Sequence, residues 1–373
     1  MAVPELKKRK DRLKQYLSSE IKGLIFAELS EEFCIGAGLG FMIGIPVPFR
    51  PEDLAKTQSD GGVDISSLSD NMAVVCGADP VFKYRDAYLE FLEKFFERDK
   101  LTQVLISRAY ERLEKHAYRR ACVYSRAALL LAGEIPGALF AYACCCREWY
   151  LSLEGDDEQE LIAAVKAEAN LYFEYTTDAD EDFAPAWYYL GYTYLNQGSY
   201  RKAELAWDRF LMLSEAEDRA EEASSAEVGA DTDDDGSGSG SEAGASEADP
   251  ARAARAEAVS EIRERMASLI DPVKIEEGIG FLMAGRLEEG VTVLEPYQDT
   301  RFDEWWPLHY HLAQAYEQLG RPDLAAEQYE RTAQLSPSNT EVYEALARLY
   351  AAAGDAERAE KYMNKAQLLR EEK

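Results

Sequence analysis

Four groups of residues in this 373-residue chain have types and spacings that could support chemistry. The glycines of "GLGFMIG", residues 38–44, are spaced as GxGxxxG, which loosely resembles a dinucleotide-binding loop. Three consecutive cysteines, residues 144–146, could supply thiolates to a metal, and the three histidines could act as bases or ligands. The stretch "DTDDDGSGSGSE", residues 231–242, matches a calcium-loop pattern. Each of these readings requires a particular structural context.

The glycine-rich stretch lacks the context of a nucleotide site. A dinucleotide loop opens a helix whose N-terminal amides hold the pyrophosphate, whereas Ile-Pro-Val-Pro-Phe follows Gly44 here. The segment "GIPVPFR" is echoed by "GADPVFK", which begins at Gly77, and each copy follows an apolar run. We predict that both runs are helices ended by a C-terminal glycine and a proline-bent turn. The aromatic residues Phe49 and Phe82 should then pack back onto the core.

The other three groups do not converge on a metal or a reaction centre. Neighbouring residues on a helix point about 100° apart, so the three cysteines cannot share one ion and are expected to pack as small apolar residues. His309 and His311 point about 200° apart on a helix for the same reason. The calcium pattern has Gly238 where a working loop has an apolar residue, and it lacks amphipathic flanking helices. We therefore predict no metal, no cofactor and no catalytic residues.

Charge and hydropathy restrict the possible partners and compartments. The formal charge of −29 argues against nucleic acid as a partner, because phosphate binding requires a basic surface. No run reaches the about 20 apolar residues that would span a bilayer. The basic N-terminus has no apolar segment directly after it, so it does not resemble a secretory signal. Six cysteines without CxxC spacing suggest a reducing compartment, and a cytoplasmic location is predicted.

Internal repetition is the strongest signal in the sequence. Residues 184–213 contain an aromatic-x2-Leu-Gly-x2-Tyr pattern followed by Ala-x3-Trp, with a glycine between the two halves. Two further segments repeat this pattern in register, and the corresponding positions lie 34 residues apart: Leu312 and Leu346, Tyr316 and Tyr350, Gly320 and Gly354, Ala325 and Ala359. A weaker copy occupies residues 275–297, where Gly278, Gly285 and Gly290 keep the frame.

This pattern resembles the tetratricopeptide repeat (TPR), a unit of about 34 residues that forms a helix–turn–helix. The resemblance implies an all-α fold, a right-handed α-solenoid of stacked helical hairpins. One hairpin cannot bury its apolar face alone, so adjacent repeats must stack. The resemblance covers at most the C-terminal half of the chain, and it identifies an architecture and not a pathway.

The remaining segments complete the predicted domain organisation. Residues 1–83 form a divergent, helical N-terminal region, and residues 84–214 form degenerate helical hairpins that end in a clear repeat at 184–214. Residues 215–250 contain thirteen acidic residues, one arginine and a single valine, so we predict a disordered acidic insert. Residues 251–373 form a C-terminal array of about three repeats.

The resemblance also implies where a partner would bind. In TPR proteins the first helices of the repeats line a concave groove that takes peptide segments of other proteins. The positions that correspond to this groove are Tyr188, Tyr192, Asn196, Ile279, Met283, Tyr310, Gln314, Gln318, Glu344 and Arg348. Several of the apolar ones could instead pack against a neighbouring repeat. The aromatic and acidic character of this set favours an apolar or basic peptide.

Three functions are compatible with the sequence. The favoured one is a non-enzymatic scaffold or adaptor that binds a protein partner in the groove. The second is a peptide-sensing regulator, although residues 1–83 do not contain the helix-turn-helix domain that such proteins usually carry. The third is an enzymatic or small-ligand activity, including nucleotide binding, in residues 1–83.

Overall fold

The computed structural model describes residues 11–60, 62–133, 135–155, 158–230 and 250–371. The chain divides into two compact units, Met1–Thr193 and Tyr194–Lys373, which we call unit 1 and unit 2. Over the described residues the fold is helical, with one two-stranded sheet in unit 1. The predicted helix–turn–helix architecture is therefore confirmed.

Unit 1 begins with short elements around an antiparallel ribbon. These are α1 (Lys14–Leu17), β1 (Ile25–Glu28), α2 (Glu31–Gly36), a 3-10 helix (Gly40–Met42) and β2 (Pro46–Phe49). The strands pair from Ile25 opposite Phe49 to Glu28 opposite Pro46. This ribbon is a local departure from the predicted helical N-terminal region, because Pro46 and Pro48 lack the N–H that a helix needs and favour extended backbone.

The glycine-rich stretch has a different local structure from the one predicted. Gly38 and Gly44 both have positive φ, of 65° and 73°. Gly38 ends α2, and Gly44 leads from the 3-10 helix into β2, so the expected α-helix before Gly44 is not formed. Phe49 is buried and Phe82 packs against the same core cluster, as predicted. The GxGxxxG motif is followed by β2, and not by the helix N-terminus that a dinucleotide loop requires.

The second echo segment begins in the last turn of a helix that crosses another helix closely. After α3 (Pro51–Asp60), α4 (Ile65–Ala78) contains Gly77 within its last turn. A Cβ atom at Gly77 would lie 2.0 Å from the backbone oxygen of Val123. The prediction that Gly77 terminates a helix is therefore wrong: this glycine permits a backbone contact that no larger residue would allow.

Helical hairpins make up the rest of unit 1. They are formed by α5 (Arg85–Phe95), α6 (Arg98–Glu114), α7 (Tyr118–Ala132), α8 (Pro136–Leu151), α9 (Gln159–Ala179) and α10 (Ala184–Leu195), whose last two residues belong to unit 2. Tight turns such as residues 115–117 and Gly133 separate the helices. The apolar periodicity of this region therefore corresponds to packed helices.

Unit 2 contains the repeats that the sequence shows most clearly. Its helices are α11 (Tyr200–Ala230), α12 (Pro250–Met283), α13 (Leu287–Leu294), α14 (Trp306–Gln318), α15 (Pro322–Leu335), α16 (Thr340–Ala352) and α17 (Ala356–Glu371). The turn glycines Gly198, Gly285, Gly320 and Gly354 all have positive φ. After each, the next residue donates its N–H to the carbonyl five residues earlier, as from Arg321 to Tyr316 at 2.9 Å. This is a Schellman helix ending, for which glycine is the preferred residue.

The acidic segment requires a correction at its N-terminal end. Helix α11 continues to Ala230, so the insert that was predicted to be disordered from residue 215 begins with helix over residues 215–224. Arg255 of α12 accounts for this, because it forms ion pairs with Glu217, Asp218 and Glu221 at 3.0, 2.7 and 2.8 Å. Arginines of the following helix thus compensate the acidic face. Residues 231–249, which include the calcium-loop pattern, lie outside the described residues.

Candidate partner-binding groove

All ten residues predicted to line the groove are at least partly accessible. Six are half-buried and four are exposed, and none belongs to the fully buried core. Consensus residues beside them, such as Leu312 and Leu346, are completely buried. The helical period thus separates positions that hold the repeats together from positions that face outwards.

Five of the ten residues line one cavity of about 320 Å³ in unit 2. Helix α14 contributes Tyr310, Gln314 and Gln318, and α16 contributes Glu344 and Arg348. The remaining lining residues are Glu317, Tyr329, Glu341 and Ala345. We call this the acidic cavity, because its wall contains three carboxylates and one guanidinium.

Hydrogen bonds from neighbouring side chains hold the carboxylates of the acidic cavity in place. The Tyr310 hydroxyl donates to Glu341 Oε2 at 2.9 Å, and the Tyr329 hydroxyl donates to Glu317 Oε2 at 3.0 Å. Arg348 Nη2 donates to the other oxygen of Glu317 at 3.3 Å. A carboxylate has about four acceptor positions, so each of these groups can still accept bonds from an incoming cation.

The two tyrosines of the cavity remain protonated donors at neutral pH. Burial, followed by the hydrogen bond to Glu341, raises the pKa of Tyr310 to about 12. Burial together with the neighbouring Glu317 likewise raises the pKa of Tyr329. The two rings lie 6.1 Å apart in an edge-to-face arrangement. Aromatic rings beside carboxylates are suited to bind the guanidinium or ammonium group of a partner.

A second cavity of unit 2 is apolar and has a volume of about 340 Å³. Ile279, one of the predicted groove residues, lines it together with Ile275, Phe302 and Trp305. The Trp305 side chain is 39% exposed, so an aromatic surface is accessible there. We call this the apolar cavity, and its chemistry suits an aliphatic or aromatic side chain.

The other predicted groove residues lie outside these two cavities. Met283 is 83% exposed near the end of α12. Tyr188 and Tyr192 are neighbours on α10 in unit 1, with ring centroids 5.2 Å apart. Asn196 is exposed and belongs to unit 2. The structure therefore brings the predicted residues of α14 and α16 together at one cavity of unit 2.

Four residues of the acidic cavity were not among the predicted groove residues. Glu317, Glu341 and Ala345 do not occupy the groove positions of the repeat pattern, and Tyr329 belongs to α15, the second helix of its repeat. A usable signal existed for Glu341, because it lies three residues before Glu344 and so on the same face of one helix. No sequence signal indicated that Tyr329 would reach the cavity.

Cysteines and a histidine among the residues first considered for chemistry are buried in the core. Burial raises the pKa of Cys122 and Cys145 well above 9.0 and that of Cys76 to about 12, so these thiols are not thiolates at neutral pH. His309 is buried and contacts Gln328 Oε1 and the Asp303 carbonyl at 2.8 Å each. Within the part of the chain that the structure describes, no group of three potential ligands could hold a metal ion. The same part contains no helix long and apolar enough to cross a bilayer.

Comparison with known families identifies the C-terminal residues as tetratricopeptide repeats. One family model, described as tetratricopeptide repeat, matches residues 306–349, and a second with the same description matches residues 340–373. These ranges contain α14 to α17 and hence the whole acidic cavity. Among proteins with curated functions, none matches this sequence.

Solved structures of MamA have a detectable but distant similarity to this chain. A crystal structure of MamA is 16% identical, with 59% of this chain and 97% of that one covered and a TM-score of 0.27. MamA from AMB-1 is 17% identical, with 61% and 92% covered and a TM-score of 0.30. MamA from Desulfovibrio magneticus RS-1, residue 41 to the end, is 15% identical, with 62% and 96% covered and a TM-score of 0.29.

Proposed function

We propose that this protein is a non-enzymatic scaffold or adaptor that binds a basic segment of a partner protein in the acidic cavity between α14 and α16. The observation that carries the proposal is the cavity itself, in which three carboxylates and two tyrosines surround a single arginine. The arrangement attracts a lysine or arginine side chain electrostatically and offers aromatic surface for its aliphatic stem.

The specificity of this site comes from its oriented acceptors. Glu317 and Glu341 are held by Tyr329 and Tyr310, so a partner's cation meets carboxylates that are already positioned. A preorganised site loses less conformational entropy on binding than a flexible one. The apolar cavity gives the same unit a place for an apolar side chain of the partner. The partner segment is therefore basic, with at least one apolar residue.

The proposed setting follows from charge and cysteine chemistry. The net charge of −29 disfavours nucleic acid and favours a basic protein segment. The six cysteines are all free, which is typical of proteins in a reducing compartment such as the cytoplasm. A TPR scaffold needs no cofactor for this function.

A charge-neutralising pair of substitutions tests the proposal. Partners are captured from the source organism with full-length protein, and the basic segment of each is then synthesised and titrated by calorimetry. The double variant Glu341→Gln/Glu344→Gln should bind such a peptide about ten-fold more weakly, because it removes the charge of Glu341 and that of Glu344, which otherwise also pairs with Arg370 of α17. The matched control is Glu357→Gln/Glu360→Gln, which removes the same charge from exposed positions on α17.

The outcomes separate the cavity from a general effect of acidity. Weaker binding in both double variants would show that overall charge, and not the acidic cavity, attracts the partner. Unchanged capture by Glu341→Gln/Glu344→Gln would contradict the proposed site. A parallel capture with Tyr188→Ala/Tyr192→Ala tests the tyrosines of α10, which contribute to a second contact only if that variant loses partners.

A further inference from the structure

Unit 1 contains a cavity whose electrostatic character is opposite to that of the whole chain. It has a volume of about 610 Å³, within the usual range of small-molecule sites. Four arginines and one histidine contribute to its wall, against one glutamate. These lining residues are Glu20, Arg50, Arg112, His116, Arg119 and Arg120. We call it the arginine cavity.

Two of the four arginines are already neutralised by carboxylates. Arg50 pairs with Asp70 at 2.9 Å, and Arg120 pairs with Glu20 at 2.7 Å. These ion pairs fix the positions of both guanidinium groups at the wall of the cavity. They also show that an arginine in this region normally finds an acidic partner, as expected in a chain with 70 acidic and 41 basic residues.

Arg112 and Arg119 differ from the other two, because neither forms an ion pair with a carboxylate of the described residues. Both instead lie beside aromatic rings, Arg112 at 6.0 Å from the centroid of Tyr124 and Arg119 at 5.9 Å from that of Trp149. The Nε atom of Arg112 is buried and has no hydrogen-bond partner. A buried donor without a partner costs free energy, and the guanidinium charge of Arg112, which no carboxylate of the described residues compensates, favours an anion in the cavity beside it.

The N-terminus of α7 adds backbone donors at the same wall. The helix has 15 residues and begins at Tyr118, and its N-cap residue Ala117 makes no side-chain capping bond. The first turn contains no acidic residue, although carboxylates are favoured there. Its first amides therefore lack the acceptor that a capping side chain usually supplies, and an anion can take that place.

The chain is held in this arrangement by an unusual turn between α6 and α7. His116 has a φ of 55° and is the only non-glycine residue with positive φ among the described residues. Ala117 donates its N–H to the Arg112 carbonyl at 2.8 Å, which closes the turn, and His116 Nδ1 lies 2.9 Å from the Tyr118 hydroxyl. The turn thus places the side chains of Arg112, His116 and Arg119 at one cavity.

We propose that the arginine cavity binds a small molecule carrying a di- or triphosphate group, held by Arg112, Arg119 and the N-terminal amides of α7. Guanidinium groups form paired, charge-assisted hydrogen bonds with phosphate oxygens, and two unneutralised arginines match a ligand with two or more negative charges. The acidity of the rest of the chain repels nucleic acid, so a compact ligand is favoured over a polymeric one. This binding activity is separate from the proposed groove in unit 2.

The test is calorimetric titration of the full-length protein with inorganic triphosphate, in the presence of a chelator. We expect saturable binding at one site that weakens as salt is raised. The double variant Arg112→Gln/Arg119→Gln should bind at least about ten-fold more weakly, because two charge-assisted contacts are lost. The matched control Arg98→Gln, an exposed arginine at the other end of α6, should bind as the unchanged protein does.

Further arms identify the ligand class and guard against misfolding. A titration with adenosine triphosphate shows whether the cavity binds the triphosphate group more tightly as part of a nucleotide than as the inorganic ion. Tighter binding of citrate or of a phosphoserine peptide than of either triphosphate would overturn the assignment, as would an absence of saturable binding. If the double variant loses its thermal transition, the single variant Arg119→Gln replaces it, because Arg119 is exposed and its substitution should leave the fold intact. Undiminished triphosphate binding by Arg119→Gln would also overturn the proposal.

Discussion

The two units of this protein use charged residues in opposite ways. Unit 1 buries charge in its core: Arg126 is 0% exposed and Glu168 is 1% exposed. Unit 2 has a core of aliphatic and aromatic residues, and its ion pairs, such as those of Arg255 with α11, lie at helix surfaces. Both units have an apolar core, so the difference shows that helical hairpins can pack with or without charged side chains buried among the apolar ones.

The turns of the two units differ in the same sense. In unit 2 a glycine occupies the left-handed position of each helix-hairpin turn, as at Gly320 and Gly354. In unit 1 the equivalent turn after α6 has His116 in that position, with the same hydrogen bond to the carbonyl five residues earlier. The repeats therefore use glycine, which adopts the left-handed conformation without strain. The turn after α6 instead uses His116, which also lines the arginine cavity.

Breaking the buried ion pair of unit 1 should have the largest effect. Arg126 Nη2 donates to Asp11 Oδ2 in the core, so Arg126→Met leaves a carboxylate without its partner and should cost about 4 kcal/mol of unfolding free energy. Hydrogen exchange, which reports each unit separately, measures this loss. The control Arg265→Met removes a half-exposed pair from α12 and should cost less than about 0.5 kcal/mol. Equal costs would show that the buried charge is not what distinguishes unit 1.

Filling the close helix contact of unit 1 should have the next largest effect. Gly77→Ala places a Cβ atom 2.0 Å from the Val123 carbonyl oxygen, so α4 and α7 must separate, at a cost of about 3 kcal/mol. Gly280→Ala in α12 meets no atom within 4 Å and should raise stability by about 0.5 kcal/mol, because alanine favours helix. Urea unfolding followed by circular dichroism checks both variants. A neutral Gly77→Ala would mean that the two helices are not in this contact.

Exchanging the turn residues sharpens the comparison at a smaller scale. Gly320→Ala forces a residue with a Cβ atom into a φ of 70° and should destabilise unit 2 by about 1 kcal/mol. His116→Gly relieves such a cost in unit 1 but makes the unfolded chain more flexible, so its net effect should stay below about 0.5 kcal/mol. Thermal unfolding of both variants tests this asymmetry, and a large loss in His116→Gly would reveal a stabilising role for the imidazole.

The smallest expected effect is a pH dependence in unit 2. Burial lowers the pKa of His311 below its ordinary value of 6.5, so the unfolded chain binds its proton more readily than the folded one. The stability contributed by neutral His311 is therefore complete above about pH 6.5 and decreases as pH falls below that value. The difference in melting temperature between the unchanged protein and His311→Gln should shrink as pH is lowered from 7 to 5. The corresponding change in unfolding free energy should be about 1 kcal/mol or less. A constant difference would contradict this linkage.

The sequence predicted unit 2 better than unit 1, for a physical reason. Residues such as Leu312 and Leu346, or Gly320 and Gly354, recur because every repeat solves the same packing problem with its neighbour. Unit 1 contains contacts that occur once, such as that of Gly77 with Val123 and the pairing of Phe26 with Pro48. A contact that occurs once leaves no periodic trace, so Gly77 was misread as a helix terminator and the β-ribbon was missed.

The candidate sites show the same limit. The repeat pattern located Tyr310, Gln314 and Arg348, but it gave no indication that Tyr329 of the next helix would share their cavity. The arginines of the arginine cavity come from positions 50, 112, 119 and 120, and no spacing in the sequence indicated that they would meet. Sites built from distant segments need the fold to assemble them.

By itself, the sequence determined the helical hairpins, the positions of their turns and the face of each repeat that packs inwards, because these depend on residues three, four or 34 positions apart. Only the tertiary structure decided which charges meet. Arg255 pairs with acidic residues of α11 and Arg126 with Asp11, whereas Arg112 and Arg119 pair with no carboxylate in the described part of the chain. Electrostatic pairing depends on distance in space and on burial, neither of which is encoded in the local order of residues.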